Sequence, residues 1–216
     1  MAAFCSAEFR WFELLVRILC DARPALRMMD VIYLYGQTED NQSSTLARAV
    51  RLSKEARRPK VGIPLLGNEA GFPGFEDWKR SLLSGGVAAE RIVGVPLAED
   101  LPPSTYSEAL GLVRLARENG WERVCVVAPP LHIVSAFIST VSAVQRENYD
   151  LAAYSAPTND VNWQRRVVHS QGVTTGTRKE LLRGEFERLH RYHAKGDLVT
   201  AEEVLAYLDQ RDAQEE

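Results

Sequence analysis

Five short apolar runs, each followed by a helical pattern, constrain what this chain can fold into more than any other feature. They span residues 30–36 (DVIYLYG), 60–67 (KVGIPLLG), 91–95, 123–128 (RVCVVA) and 150–155 (DLAAYS). A strand that is apolar throughout is buried on both faces, and parallel strands need a crossover between them. The alternation therefore predicts a mostly parallel sheet with helices above and below. The first intervening helix is expected over about 41–57, with Leu46, Ala49, Val50, Ser53 and Ala56 inward, and the second over 75–84. A third covers 104–119 and is closed by Gly120 as a left-handed cap, and a fourth follows Pro129-Pro130 and carries Val134, Phe137, Val141 and Val144. The expected fold class is α/β: a Rossmann-like three-layer fold with a sheet of about five strands, plus N- and C-terminal helices. The domain layout is an amphipathic helix over 1–22, a core over 23–160 that opens at Arg23-Pro24, and a lid with C-terminal helices over 161–216.

Composition narrows the partners. The chain has 216 residues, 45% hydrophobic and 25% charged, enough for one good core. A net charge of −3 with both signs interspersed leaves no footprint for nucleic acid or for coating an anionic membrane, so small molecules are the expected partners. Cys5, Cys20 and Cys125 are an odd count without metal-ligand spacing, which argues against a disulfide framework and suits a reducing cytoplasm.

The segment 9–20 (FRWFELLVRILC) resembles an anchor at a glance, but Arg10, Glu13 and Arg17 interrupt it. Those charges recur with Asp21 at steps of three and four, while Phe9, Phe12, Val16 and Leu19 line the other side. This is an amphipathic helix, too short and too charged to span a bilayer. It is expected to pack on the domain or across a homodimer, with peripheral membrane attachment as the alternative. A last helix opens at the Thr200/Glu203 capping spacing, with Val204, Leu205 and Leu208 on one side.

In open parallel sheets the ligand sits beyond the carboxyl ends of the strands. That rule selects Gly36, Gln37 and Asn41 after the first strand, Gly67, Asn68 and Glu76 after the second, 104–108 after the third and 129–135 after the fourth. His132 opens a helix just past a strand end, where the helix dipole holds an imidazole neutral, as a general base requires. It equally suits a helix-start hydrogen bonder. Thr105 and Glu108 have capping-box spacing that needs no ligand, although Glu108 alternatively faces the cleft. Glu76 is either similar or a first-turn acid favoured by the dipole.

His169, His190 and His193 lack such placement and are expected on the surface. The basic run Arg178, Lys179, Arg183, Arg188, Arg191 and Lys195 is interleaved with Glu180, Glu185 and Glu187, and reads as a solvated helix face. There is no GxGxxG, Walker loop or GxSxG elbow, no metal-ligand spacing, and Cys125 reads as packing inside a strand. Residues 156–177 are long for a connection and leave the same sheet edge. They suit a lid in which Trp163, Arg165 and Arg166 meet a ligand and Gly172 and Gly176 act as hinges. Alternatively, Trp163 and Val167-Val168 anchor an extra helix on the core.

Five segments occur in a characteristic order: Tyr35-Gly36-Gln37, Ala47-Arg48-Ala49, Leu66-Gly67-Asn68, Ser104-Thr105-Tyr106-Ser107-Glu108-Ala109 and Ala128-Pro129-Pro130-Leu131-His132. In this order the chain resembles the YdcF-like family, domain of unknown function 218, over about 30–150 and again over 187–208. It departs from the pattern at Ser135, where the family has arginine, and at Ser107-Glu108 and Leu66-Gly67-Asn68. The resemblance implies a bacterial cytoplasmic protein, a link to envelope biogenesis, and S-adenosylmethionine as a ligand.

The functional expectation is a small-molecule enzyme, a hydrolase or group transferase, that binds a polar, anionic or nucleotide-like ligand at this sheet edge. His132, Glu108 and Glu76 are its catalytic candidates. Gly36, Gln37, Asn41, Gly67, Asn68, Thr105, Ser135, Trp163 and Arg165 are its binding candidates. A noncatalytic ligand- or partner-binding module is the competing class, since this fold hosts both.

Overall fold

Successive strand residues point to opposite faces, and in the central strands both sets are apolar. Val31, Tyr33 and Tyr35 enter one core layer and Ile32 and Leu34 the other; Val124 and Val126 divide from Cys125 and Val127 in the same way. Both faces must therefore be covered. A computed structural model describes residues 6–21, 25–69, 71–159, 161–169 and 173–214. Cys5, Arg23, Pro24, Asp160 and Gly172 lie outside the described residues.

Strands β1 (Val31–Leu34), β2 (Lys60–Pro64), β3 (Ile92–Val95), β4 (Arg123–Val127) and β5 (Ala152–Ser155) form one parallel sheet in the order β3-β2-β1-β4-β5. The fold is a Rossmann-like three-layer α/β fold. Helices α2 (Glu39–Glu55) and α3 (Phe75–Ser84) cover the Ile32 side through Leu52, Trp78 and Leu82. The Tyr33 side is covered by α4 (Thr105–Asn119) and α5 (Ile133–Glu147), joined by α1 (Ser6–Leu19) and α7 (Ala201–Ala213). Gly120 ends α4 at φ 64°, the left-handed cap expected there. Gly111 lets α4 lie against the turn after β3, because a Cβ at that position would fall 1.8 Å from the Pro96 carbonyl oxygen. Among the described residues no helix is long and apolar enough to cross a membrane.

Two expectations are corrected. Helix α1 packs on the domain, but through Leu14 and Ile18, while the stripe Phe9, Phe12, Val16 and Leu19 stays exposed. The charged side borders α7: Arg10 meets Glu202 at 2.6 Å, and Arg17 meets Asp209 at 2.5 Å and Asp212 at 2.8 Å.

The segment 156–177 is neither a loop lid nor an extra helix. It carries an antiparallel hairpin of β6 (Arg166–His169) and β7 (Thr174–Thr177), which leads into α6 (Arg178–Ala194). Gly176 is a ladder residue opposite Val167 and not a hinge. The hairpin is pinned to the start of α2. Thr38 donates to the Val168 carbonyl at 2.6 Å, and the Val168 N–H donates to Asp40 at 2.8 Å.

Candidate functional site

The strand order makes the chain run outward from β1 through β2 and β3, then return to lay β4 on the other side of β1. The loops after β1 and β4 therefore diverge at their carboxyl ends and leave a crevice between them. A cavity of about 520 Å³ occupies it, walled by Gly36 and Gln37 after β1, Thr105 and Glu108 on α4, His132 and Ser135 at the start of α5, His169 on β6, and Glu185, Arg188 and Arg191 on α6.

Glu108 reaches the cavity because the start of α4 is capped without it. Ser104 and Ser107 close the reciprocal box: the Ser107 N–H donates to Ser104 Oγ at 3.1 Å, and the Ser104 N–H donates to Ser107 Oγ at 2.8 Å. This corrects the expected Thr105/Glu108 box, which sits one residue too far along. Glu108 Oε2 instead accepts the Gly36 N–H at 2.9 Å and the Tyr33 hydroxyl at 3.1 Å. Glu108 is part-buried and lines the cavity. Burial raises its pKa to about 7, against the opposing pull of the hydrogen bonds from Gly36 and Tyr33. Burial and the adjacent carboxylate push the Tyr33 phenol well above its ordinary value.

His132 is buried, with Nδ1 2.7 Å from Gln37 Nε2 and Nε2 3.1 Å from Thr105 Oγ1. Burial lowers its pKa to about 4; the charges of His169 and Arg188 act the same way and Glu185 opposes them. A pKa this low leaves the ring neutral near pH 7, with burial as its largest cause. Its acceptor nitrogen, however, already takes a proton donor from Gln37, so the geometry makes His132 an N–H donor toward Thr105 and not a general base. Ser135, in the first turn of α5, holds its hydroxyl 3.0 Å from both the His132 carbonyl and Glu185 Oε2, which share its single proton.

A second histidine lies across from it. His169 Nε2 donates to Glu185 Oε1 at 2.6 Å, and its ring centre is 6.0 Å from that of His132. Burial alone would raise the Glu185 pKa, but the His169 hydrogen bond and the charges of His132, His169 and Arg188 outweigh it and hold the carboxyl at about 2. Arg188 completes the group with a direct contact to Glu185 Oε1.

His169 and Glu185 therefore correct the reading of surface histidines and a solvated basic face. Arg178 does too: it is buried and donates to Asn41, Asp40 and Asn162. A signal for these residues was present. Arg178, Leu181, Glu185 and Leu189 recur at helical spacing and form the buried stripe of α6.

Gly36, Gln37, Thr105, Glu108, His132 and Ser135 are thus brought together. Gly67, Asn68 and Glu76 are exposed and do not line the cavity, since the chain after β2 turns outward and leaves Leu66 and Phe72 at the wall. Asn41 is buried behind it, with its amide spent on Thr38, Val168 and Arg178. Trp163 borders a separate, shallow depression with Pro130 and Thr158, and Arg165 is an exposed residue 3.6 Å from Asp40.

An adenosyl cofactor held in the usual way needs free donors in the turn after β1. Here the Gly36 N–H is taken by Glu108, and the Gln37 side-chain amide is held by His132 and Tyr35. Among the described residues no group of three or more His, Cys, Asp or Glu side chains is arranged to hold a metal ion. No protein-family model, curated protein or solved structure matches the chain.

Proposed function

We propose that this chain is a small-molecule enzyme of YdcF-like type, a hydrolase or group transferase working on a polar ligand in the cavity at the sheet edge. Glu108 is its proton-transfer group, and His132 polarises the ligand through an N–H delivered directly or by way of the Thr105 hydroxyl. The observation that carries this reading is Glu108. A carboxyl whose pKa is raised to about 7 inside a cavity can both hold and release a proton at physiological pH.

The competing reading is a noncatalytic binding module. It is favoured by the satisfied state of the polar wall, where Gln37, His132, Thr105, Ser135, Glu185 and His169 bond to one another. Mass spectrometry of small molecules that copurify with the native chain, followed by turnover assays on those compounds and their esters, separates the two. An enzyme loses roughly 10²- to 10⁴-fold in turnover on Glu108→Gln while the variant stays folded and no less stable. Ligands that are bound, released unchanged and never turned over reject the enzyme.

A further inference from the structure

Of the three carboxylates that line the cavity, two are paired with cations and one is not. Glu185 is engaged by His169 and Arg188, and Glu187 by Arg183 at 3.1 Å. Glu108 has no such partner. Its Oε2 takes the hydrogen bonds from Gly36 and Tyr33, both uncharged donors, and no donor meets Oε1 among the described residues. That second oxygen lies where a side chain on residue 36 would stand, 3.2 Å from the position of a Cβ, so a glycine keeps the approach to it open. The titratable and charged groups around it are Tyr33 from β1, Tyr106 on α4, His132 from the start of α5, His169 on β6, and Glu185, Glu187, Arg188, Arg191 and Tyr192 on α6. The two arginines lie on α6, and Arg188 is held by Glu185.

A buried carboxylate without a counter-charge is costly to keep ionised, and a ligand that supplies the missing cation recovers that cost on binding. We propose that the ligand of this cavity carries a cationic nitrogen, an ammonium, amidinium or guanidinium group, whose N–H donates to Glu108 Oε1. This rests on reading the cavity as the ligand site. Beside Glu108 itself an anionic group would meet a like charge, and a neutral hydroxyl would leave the carboxylate uncompensated.

The raised pKa of Glu108 sets the sign of a test, because a cation binds the ionised carboxylate and so binds more tightly as pH rises through about 7. The probes are methylguanidinium and its uncharged counterpart methylurea, titrated into the full chain while the Gly36 amide resonance is followed by NMR. Methylguanidinium is expected to shift that resonance saturably at about pH 8, and roughly tenfold or more weakly at about pH 5.5. It should lose the effect in Glu108→Gln, and methylurea should produce none.

Equal shifts from methylurea overturn the proposal, as does a methylguanidinium affinity that ignores pH. If Glu108→Gln does not fold, the pH dependence of the unaltered chain decides alone. The two readings of the site fail separately. A substrate found by turnover that lacks a cationic nitrogen overturns this inference and leaves the enzyme, whereas pH-dependent methylguanidinium binding in a chain that turns nothing over does the reverse.

Discussion

Gln37 donates from Nε2 to Nδ1 of His132 at 2.7 Å, and the same amide nitrogen donates to the Tyr35 carbonyl at 3.1 Å. A carbonyl only accepts, so the second bond orients the amide, and the amide in turn places the imidazole proton on Nε2, facing Thr105. Nitrogen–proton correlation spectra should show His132 as the neutral Nε2–H tautomer near pH 7. Gln37→Leu leaves Nδ1 without its donor and should cost roughly 1–3 kcal/mol. A ring that is charged near neutrality, or protonated on Nδ1, rejects this arrangement.

His132 and Glu108 oppose each other in the pH dependence of stability. The histidine pKa falls from 6.5 to about 4 on folding, so its contribution is present above about 6.5 and is lost as pH drops toward 4. The Glu108 pKa rises from 4.5 to about 7, so its contribution is present below about 4.5 and is lost as pH climbs through 7. Between these limits the two slopes partly cancel. Glu108→Gln should therefore stabilise the protein at about pH 8, by roughly 1–3 kcal/mol, and change little at about pH 4. Urea unfolding at the two pH values measures this, and a variant less stable at pH 8 contradicts it.

The orientation of α1 is tested by two substitutions that sequence periodicity alone would rank the other way. Leu14 is fully buried and Phe12 is 65% exposed. Leu14→Ala should cost roughly 2–5 kcal/mol, the usual range for a buried truncation, whereas Phe12→Ser should stay within about 0.5 kcal/mol. Thermal unfolding of the pair reads the difference, and a larger loss at Phe12 would mean that the helix packs through its other side.

Arg178 locks the hairpin to α2 through its bonds to Asn41 Oδ1 at 3.0 Å, the Asp40 carbonyl at 2.9 Å and the Asn162 carbonyl at 3.0 Å. Lysine has no planar fork to reach all three. Arg178→Lys is expected to speed hydrogen exchange at the Val168 amide and to loosen His169 from Glu185, with little change in the β1 and β4 amides. Uniformly faster exchange through the sheet would make Arg178 a global stabiliser instead.

The five strands, four crossover helices and the Gly120 cap were legible because each rests on short-range pattern: apolar runs of strand length, helical spacing, and turn residues at their ends. The sheet edge that holds the site followed from them, and with it Gly36, Gln37, Thr105, Glu108, His132 and Ser135. The hairpin was not legible. Its two strands are four residues each and partly exposed, and their pairing is stabilised by α2, more than a hundred residues away in sequence.

Sequence by itself determined the five strands of the sheet and the helices that cross between them, since periodicity and chain direction are local properties. Tertiary structure alone decided what the side chains do. Whether Glu108 caps a helix or faces a cavity depended on a competing serine at 107, and which side of α1 is buried depended on its packing against α5 and α7. The burial of His169 depended on Glu185, an acid of α6. The local pattern around each residue allows either outcome, and the free energy that separates them comes from partners brought within hydrogen-bond distance only by the fold.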